Sequence, residues 1–430
     1  MRCPPKIAIG PAPQPCALAG VLQARGIAAL DAGGRVGAGW GSRVGERTPA
    51  SSYLLAEPEG VFRGGFEVLV EAREWLDPGP DRDPGERMLA GFLSYDQGAL
   101  DSKPIEPVCL AGYRAVYRQR SNVEGEVVGS DAAAMRSLAD QIRSAALHVV
   151  PDPVRLSDPD SAFSLPVYLA AIAKIQDYIR AGDVYQVNLA RRLRYADVKP
   201  WELAAMYEQL CLHHPAPFGA FLRHADLTVI SNSPERFLRL EGDQLETCPI
   251  KGTRPRGRTP EEDGWMAKEL LSSQKDQAEH IMIVDLERND LGRICATGSV
   301  RVDRLAELES FANVHHLVSS VRGRVRDPGD WRGILSAMFP SGSITGAPKL
   351  RAMEIIRELE PVPRGIYTGA VGVFDANGGI DLSLAIRTGV ARDGQLDLHF
   401  GGGIIADSDP RSEFAETRDK GAAFSSVAHR

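Results

Sequence analysis

Residues 367–403, YTGAVGVFDANGGIDLSLAIRTGVARDGQLDLHFGGG, constrain the fold more than any other stretch of this chain. β-Favouring runs are punctuated by Asn377-Gly378 and Asp393-Gly394. Such dipeptides accept the positive φ that a two-residue hairpin turn demands. The segment therefore reads as three antiparallel strands. Two further hairpins are signalled at Ala225-Asp226 and Gly242-Asp243, and DVYQVNLARRLRY alternates as a strand. Helical periods lie between these runs. In PVYLAAIAKIQDYIRAG, Leu169, Ile172, Ile175 and Ile179 mark one face, Pro166 opens the helix and Gly182 closes it. Further helical patterns run from about Glu261 to Val284, from Pro348 to Leu359, and through PRSEFAETRDKGAAF. Hairpin runs separated by helices, without strict βαβ alternation, predict an α+β fold with largely antiparallel sheets.

The chain is too long for one ordinary core, at 430 residues, and two closely packed units are expected. Residues 1–150 form the first, and a Pro- and Asp-rich linker spans 148–166. A net charge of −7 excludes a generic nucleic-acid surface. The six cysteines show no C-x-x-C pair and no spacing of a zinc site or disulfide framework, which points to a reducing, cytoplasmic compartment. The first twenty residues are broken by prolines and do not read as a signal peptide, and no apolar run reaches membrane-spanning length.

No phosphate-binding loop, dinucleotide fingerprint or nucleophile elbow is present. Paired acids stand out instead. Asp276 and Glu279 are three apart on one predicted helix, and Glu413 and Glu416 on another. Each pair shares a helix face. Together they suit Mg²⁺, or they are two solvated acidic faces. In CPIKGTRPRG, Lys251 is followed by Arg254, Arg256 and Arg258. Neighbouring cations lower an amine's proton affinity and make it a nucleophile. The arginines equally suit an anionic ligand, or the stretch is a basic surface loop. Glu235, in SNSPERF, is placed for general-acid work. His315 and His316 are either catalytic or structural. SITGAPKLRAMEII holds a Gly-rich turn entering a helix, a place for a carboxylate or simply a helix entrance.

SPERF, PIKGTRPRG, AEHIMIVDLERNDLGRI, HLVSSVRG, GSITGAPKLRAMEII, IYTGAVGVF, LAIRTGV and DSDPRSEFAETRDKG occur together in one order. In that order and spacing the chain resembles the chorismate-utilising enzymes, which include anthranilate synthase component I, aminodeoxychorismate synthase component I, isochorismate synthase and salicylate synthase. The resemblance covers 163–424 strongly and 1–150 weakly, through LLAEP and GFLSYD. It implies two packed, largely antiparallel sheets with helices outside and a site between them. It implies that Glu279 and Glu416 bind Mg²⁺ directly, with Asp276 and Glu413 supporting through water. Glu235 resembles the general acid and His316 the histidine beside the leaving group. Gly252, Thr253 and Ser343 resemble contacts to the ring carboxylate of chorismate. Tyr367, Arg387, Gly403 and Lys420 resemble contacts to its enolpyruvyl carboxylate.

Family members that add water at C2 carry a lysine base where this chain has Gln186. Glutamine cannot deprotonate water, so an ammonia user is implied. Anthranilate synthases typically read P-I-A-G-T, whereas aminodeoxychorismate synthases read P-I-K-G-T, as here. The resemblance therefore implies Lys251 as the nucleophile of a C4 amination that feeds 4-aminobenzoate and folate synthesis. Ammonia then comes from a separate glutamine amidotransferase subunit, because no cysteine lies in a G-x-C-x-G setting. Anthranilate synthase component I is the alternative, and a catalytically inactive chorismate-binding regulatory subunit is a third. The short tryptophan-binding L-L-x-S stretch of related enzymes has its nearest match in AALDAGG, which lacks the serine.

Overall fold

A computed structural model describes residues 6–9, 13–19, 22, 26–32, 51–77, 87–96, 99–100, 103–119, 125–145, 154–311 and 313–428. Two sheets dominate, and every pairing among their described strands is antiparallel. The first has twelve described strands, with Gly26–Asp31, Phe218–His224, Leu227–Ser233, Thr388–Arg392, Gln395–Ile404 and Gln186–Tyr195 adjacent in that order. The second has ten, including Ile250–Pro255, Val314–Arg324, Arg236–Glu241, Ile380–Leu384, Ala370–Asp375 and Met88–Leu93.

The alternation of side chains across a strand sets the layers. In Gly26–Asp31 every residue is buried. Ile27 and Ala29 pack under helices on the outer face, while Ala28 and Leu30 pack between the sheets. Val371 and Val373 meet that inner layer from the second sheet, and Ala370 and Phe374 face the helices beyond it. Helices thus cover both outer faces. Truncating a side chain such as Phe221, fully buried under the first sheet's helices, costs ~3–5 kcal/mol.

Strands from the first 150 residues enter both sheets. Leu30 pairs with Ala220 in one, and Gly91 with Gly372 in the other. The linker is described from 154 onward, and its Asp160–Ser161 segment pairs along Gln186–Tyr195. Residues 148–153 lie outside the described set. No described helix is long and apolar enough to cross a membrane.

Two expectations need correction. The helical pattern from Glu261 to Val284 is two helices, Pro260–Ser272 and Gln274–Ile294. Ser273 separates them by accepting a hydrogen bond from the Asp276 amide, an N-cap that ends one helix and starts the next. The three strands expected over 367–403 are four, because the middle run divides into Ile380–Leu384 and Thr388–Arg392, in different sheets. The division falls at Ala385–Arg387. Arg387 has a left-handed φ of 50°, and the Thr388 hydroxyl donates to the Ile386 carbonyl at 3.0 Å. No Gly or Pro marks this break.

A second crossing lies beside the first. Leu227–Ser233 leaves the first sheet, and after Pro234-Glu235 the chain enters the second as Arg236–Glu241. The crossings are tied by two backbone hydrogen bonds of 3.0 Å, Leu384 N to Glu235 O and Asn232 N to Arg387 O.

Candidate active site

The crossings place Glu235 and Arg387 between the sheets. Glu235 is 4% exposed, and the Ile250 amide donates to its Oε1 at 3.3 Å. Burial pushes its carboxyl up to about 7, against the opposing pull of Ser343, Lys251 and Ile250. Arg387 is half-buried, and its guanidinium feels the Glu235 carboxyl.

Lys251 enters from the strand Ile250–Pro255. Its Nζ donates to the Ser343 carbonyl at 3.2 Å. The register against Val314–Arg324 slips between Lys251 and Thr253, where Gly252 adopts φ +69°. A β-carbon at Gly252 would lie 2.8 Å from Leu270 Cδ1 and 3.3 Å from Asp276 Cβ, so this bulge needs glycine. Burial is the main reason the Lys251 ammonium loses proton affinity, Lys420 adding to it. Glu235, Glu279 and Glu416 oppose the shift. The arginines expected to act on it are engaged elsewhere. Arg254 pairs with Glu269 and with Asp276 at 2.9 Å, and Arg256 with Asp263 at 2.7 Å.

His316 is 2% exposed. Its Nδ1 lies 3.3 Å from the Gly252 carbonyl and 3.0 Å from Thr253 Oγ1. A carbonyl only accepts, so Nδ1 carries the proton and Nε2 a lone pair. Nε2 is buried without a partner, and burial with Arg387 nearby pushes the imidazole down to about 3. His315 turns away to Ser310 and Asp263.

Ser343 sits in the single turn Gly342–Ile344. Its carbonyl also accepts from Asn188 Nδ2 at 3.1 Å. Gln186 is fully buried, with both amide atoms unpartnered. It lies over Gly403, where an added β-carbon would sit 2.1 Å from Gln186 Nε2. Tyr367 is buried and stacks on His399 with ring centres 5.2 Å apart.

The four acids approach from the helices Gln274–Ile294 and Pro410–Ala428. Burial raises Glu279 and Glu413, and the charge of Glu413 adds to the rise at Glu279. Glu413 Oε2, Glu416 Oε1 and Lys420 Nζ would each lie 3.5 Å from a β-carbon added at Gly402. Lys420 bridges Glu416 at 2.6 Å and the Gly401 carbonyl at 2.9 Å. Burial opposes ionisation of Glu416, but Lys420, with Lys251 and Lys275, outweighs it and holds that carboxyl below its usual range. Asp276 stands at the first turn of its helix, tied to Arg254. These donors are carboxylate oxygens in partly buried surroundings, with Asp276 and Glu416 each already facing a cation and Glu279 and Glu413 raised by burial, a set whose oxygens fit a hard divalent cation.

Two nearby residues escaped the sequence analysis. Glu287 is fully buried, and its Oε1 accepts from Ser341 Oγ at 2.7 Å and the Gly342 amide at 3.0 Å. It therefore fixes the turn that presents Ser343. The available signal was a carboxylate in DLERNDLG, on the helix bearing the candidate ligands. His280 bonds Ser319 Oγ, and burial, with Lys251 nearby, pushes it down to about 4.

A family model described as chorismate binding enzyme matches residues 55–426. The aminodeoxychorismate synthase component 1 of Bacillus subtilis (strain 168) is 46% identical over 255 residues, 59% of this chain and 54% of that protein. The anthranilate synthase component 1 of Pseudomonas putida is 45% identical over 269 residues, 62% of this chain and 54% of that protein. The chain thus spans about half the length of these relatives. Among solved structures, anthranilate synthase component I from Streptococcus pneumoniae TIGR4 superposes with a TM-score of 0.74 at 28% identity, covering 90% of this chain and 95% of that one.

Proposed function

The chain belongs to the chorismate binding enzyme family, and from that premise we propose that it is an aminodeoxychorismate synthase component I. It converts chorismate and ammonia to 4-amino-4-deoxychorismate and water. The supporting observation is the partly buried Lys251 amine, held on the Ser343 carbonyl within reach of the Glu235 field. Burial shifts the two groups in complementary directions: the amine sheds its proton more readily, and the carboxyl keeps its own up to about 7.

Lys251 Nζ forms a bond to C2 as the C4–O bond breaks, and Glu235 gives its proton to the departing hydroxyl. Ammonia then bonds to C4 and the C2–Nζ bond breaks, regenerating the amine. Neutral His316 offers its Nε2 lone pair beside the leaving group. Gly252, Thr253 and Ser343 hold the ring carboxylate, and Tyr367, Arg387, Gly403 and Lys420 hold the enolpyruvyl carboxylate. Gln186 lines the C2 side, where an amide cannot act as a base toward water. Glu279 and Glu416, supported by Asp276 and Glu413, hold Mg²⁺, whose charge neutralises the ring carboxylate when bound.

The ammonia reaches this site from a glutamine amidotransferase subunit. Alone, the chain uses ammonium salts, in proportion to free NH₃, and not glutamine. Incubation with chorismate, Mg²⁺ and ammonium, followed by chromatography and mass measurement, tests the assignment. Anthranilate as the product would move the chain to the anthranilate synthase branch, which relatives such as the Pseudomonas putida protein support at nearly equal identity. Unconsumed chorismate would favour an inactive regulatory subunit.

A further inference from the structure

Outside this cleft, on the outer face of the first sheet, three chain segments bring two thiols and a carboxylate together. Cys16 lies in the short helix Pro15–Ala19, Asp31 ends the strand Gly26–Asp31, and Cys211 lies in the helix Pro200–His213. Their two sulfurs and a carboxylate oxygen are all within 4.8 Å of one another. We propose that Cys16, Asp31 and Cys211 form a binding site for a thiophilic divalent cation of the Zn²⁺ type.

Two thiolates and a carboxylate are a donor set that zinc accepts, and three protein donors leave the fourth tetrahedral position to solvent. Cys16 and Asp31 are buried, while Cys211 is half-buried and gives the ion a way in. The carboxylate is already oriented. Tyr207 donates its hydroxyl to Asp31 Oδ2 at 2.6 Å, and the Cys16 amide donates to Oδ1 at 3.3 Å. Outer hydrogen bonds of this kind hold a ligating carboxylate in place. Glu208 lies three residues before Cys211 on the same helix, and its charge acts on both Cys16 and Asp31. Cysteine spacing gave no hint of this site, because Cys16 lies within the first twenty residues and Cys211 near the middle of the chain.

Cobalt titration of the reduced, metal-free full chain under argon tests the proposal. One equivalent of Co²⁺ should produce a thiolate-to-cobalt charge-transfer band in the near ultraviolet, and Zn²⁺ should bleach it. Cobalt held only by cleft carboxylates gives no such band, so the outcome is independent of the chorismate assignment. The Cys16→Ser/Cys211→Ser double variant should lose the band, and Asp31→Asn should weaken binding ~10-fold. If the double variant fails to fold, Cys211→Ser alone, checked by circular dichroism, serves instead. No band in the wild-type chain, a band undiminished in the folded cysteine variant, or unchanged affinity in Asp31→Asn overturns the site.

Discussion

The two ends of the strand Ile250–Pro255 carry cations in opposite circumstances. At the inner end, Lys251 has a backbone carbonyl as its hydrogen-bond partner and acids acting at a distance. At the outer end, Arg254 and Arg256 are clamped by Glu269, Asp276 and Asp263. A chain segment that looks uniformly basic is thus divided by the bulge at Gly252 into a reactive amine and a structural clasp. Charge written in a sequence is not charge available to a substrate. Availability depends on which cations find a direct ionic partner.

The largest expected effect breaks the inner end. Lys251→Ala should lower kcat by ~10⁴-fold with KM little changed, because the amine acts as bonds rearrange. Steady-state kinetics with saturating ammonium measures this, and intact-protein mass after an ammonia-free quench should show a chorismate adduct in the wild type only. Wild-type turnover by the alanine variant would remove the nucleophile role.

Glu235→Gln should cost ~10³-fold in kcat, within the span of a lost general acid. In the wild type, the rate at fixed free NH₃ should fall as pH rises through about 7, since the acid form is the proton donor. The same ionisation bears on folding. The folded chain keeps a proton that the unfolded carboxyl releases near its ordinary value, so this group costs stability progressively as pH rises toward 7. Glu235→Gln should therefore raise Tm relative to wild type more at pH 8 than at pH 5, as read by calorimetry.

Smaller losses are expected at the metal side. Glu279→Ala or Glu416→Ala should reduce activity ~10²-fold and abolish the Tm increase that Mg²⁺ and chorismate together produce in the wild type. Full activity of both variants in excess chelator would exclude the assigned ligands. The smallest effect belongs to the clasp. Arg254→Gln should change kcat by less than ~3-fold and stability by under ~1 kcal/mol, the scale of a partly exposed ion pair. A loss as large as that of Lys251→Ala would erase the distinction between the two ends.

Much of the fold was legible because its signals are local. The hairpins at Ala225-Asp226 and Gly242-Asp243 form where expected, Gly242 taking the positive φ of 59° that glycine allows. The helix Leu165–Ala181 ends at Gly182 in the left-handed region, as its composition demands. What escaped were features set by contacts distant in sequence. The strand break at Arg387 has no glycine or proline to announce it, since tertiary packing holds a side-chain-bearing residue at positive φ. The Ser273 cap was legible as Ser-x-x-Asp but lay inside an otherwise continuous helical pattern. At the site, motif and spacing singled out Lys251, Glu235 and the four acids; in the structure the charges of Glu235, Glu279 and Glu416 act on Lys251, and those of Asp276 and Glu413 on Glu279. The cause of the Lys251 shift was not legible. Burial depends on which elements cover the amine, and the neighbouring arginines are spent on acids from the helix Pro260–Ser272 and from the start of Gln274–Ile294.

The paired crossings between sheets bear on when the site comes into being. Glu235 and Arg387 are the residues at which two strands change sheets, and each offers its backbone carbonyl to a strand residue of the other crossing. Neither can reach its position until both sheets have formed and met. The acid and the arginine are thus parts of the scaffold itself rather than additions to it. The amides of Asn232 and Leu384 should then exchange with deuterium only through global unfolding, and denaturant should abolish activity and far-ultraviolet ellipticity at one midpoint.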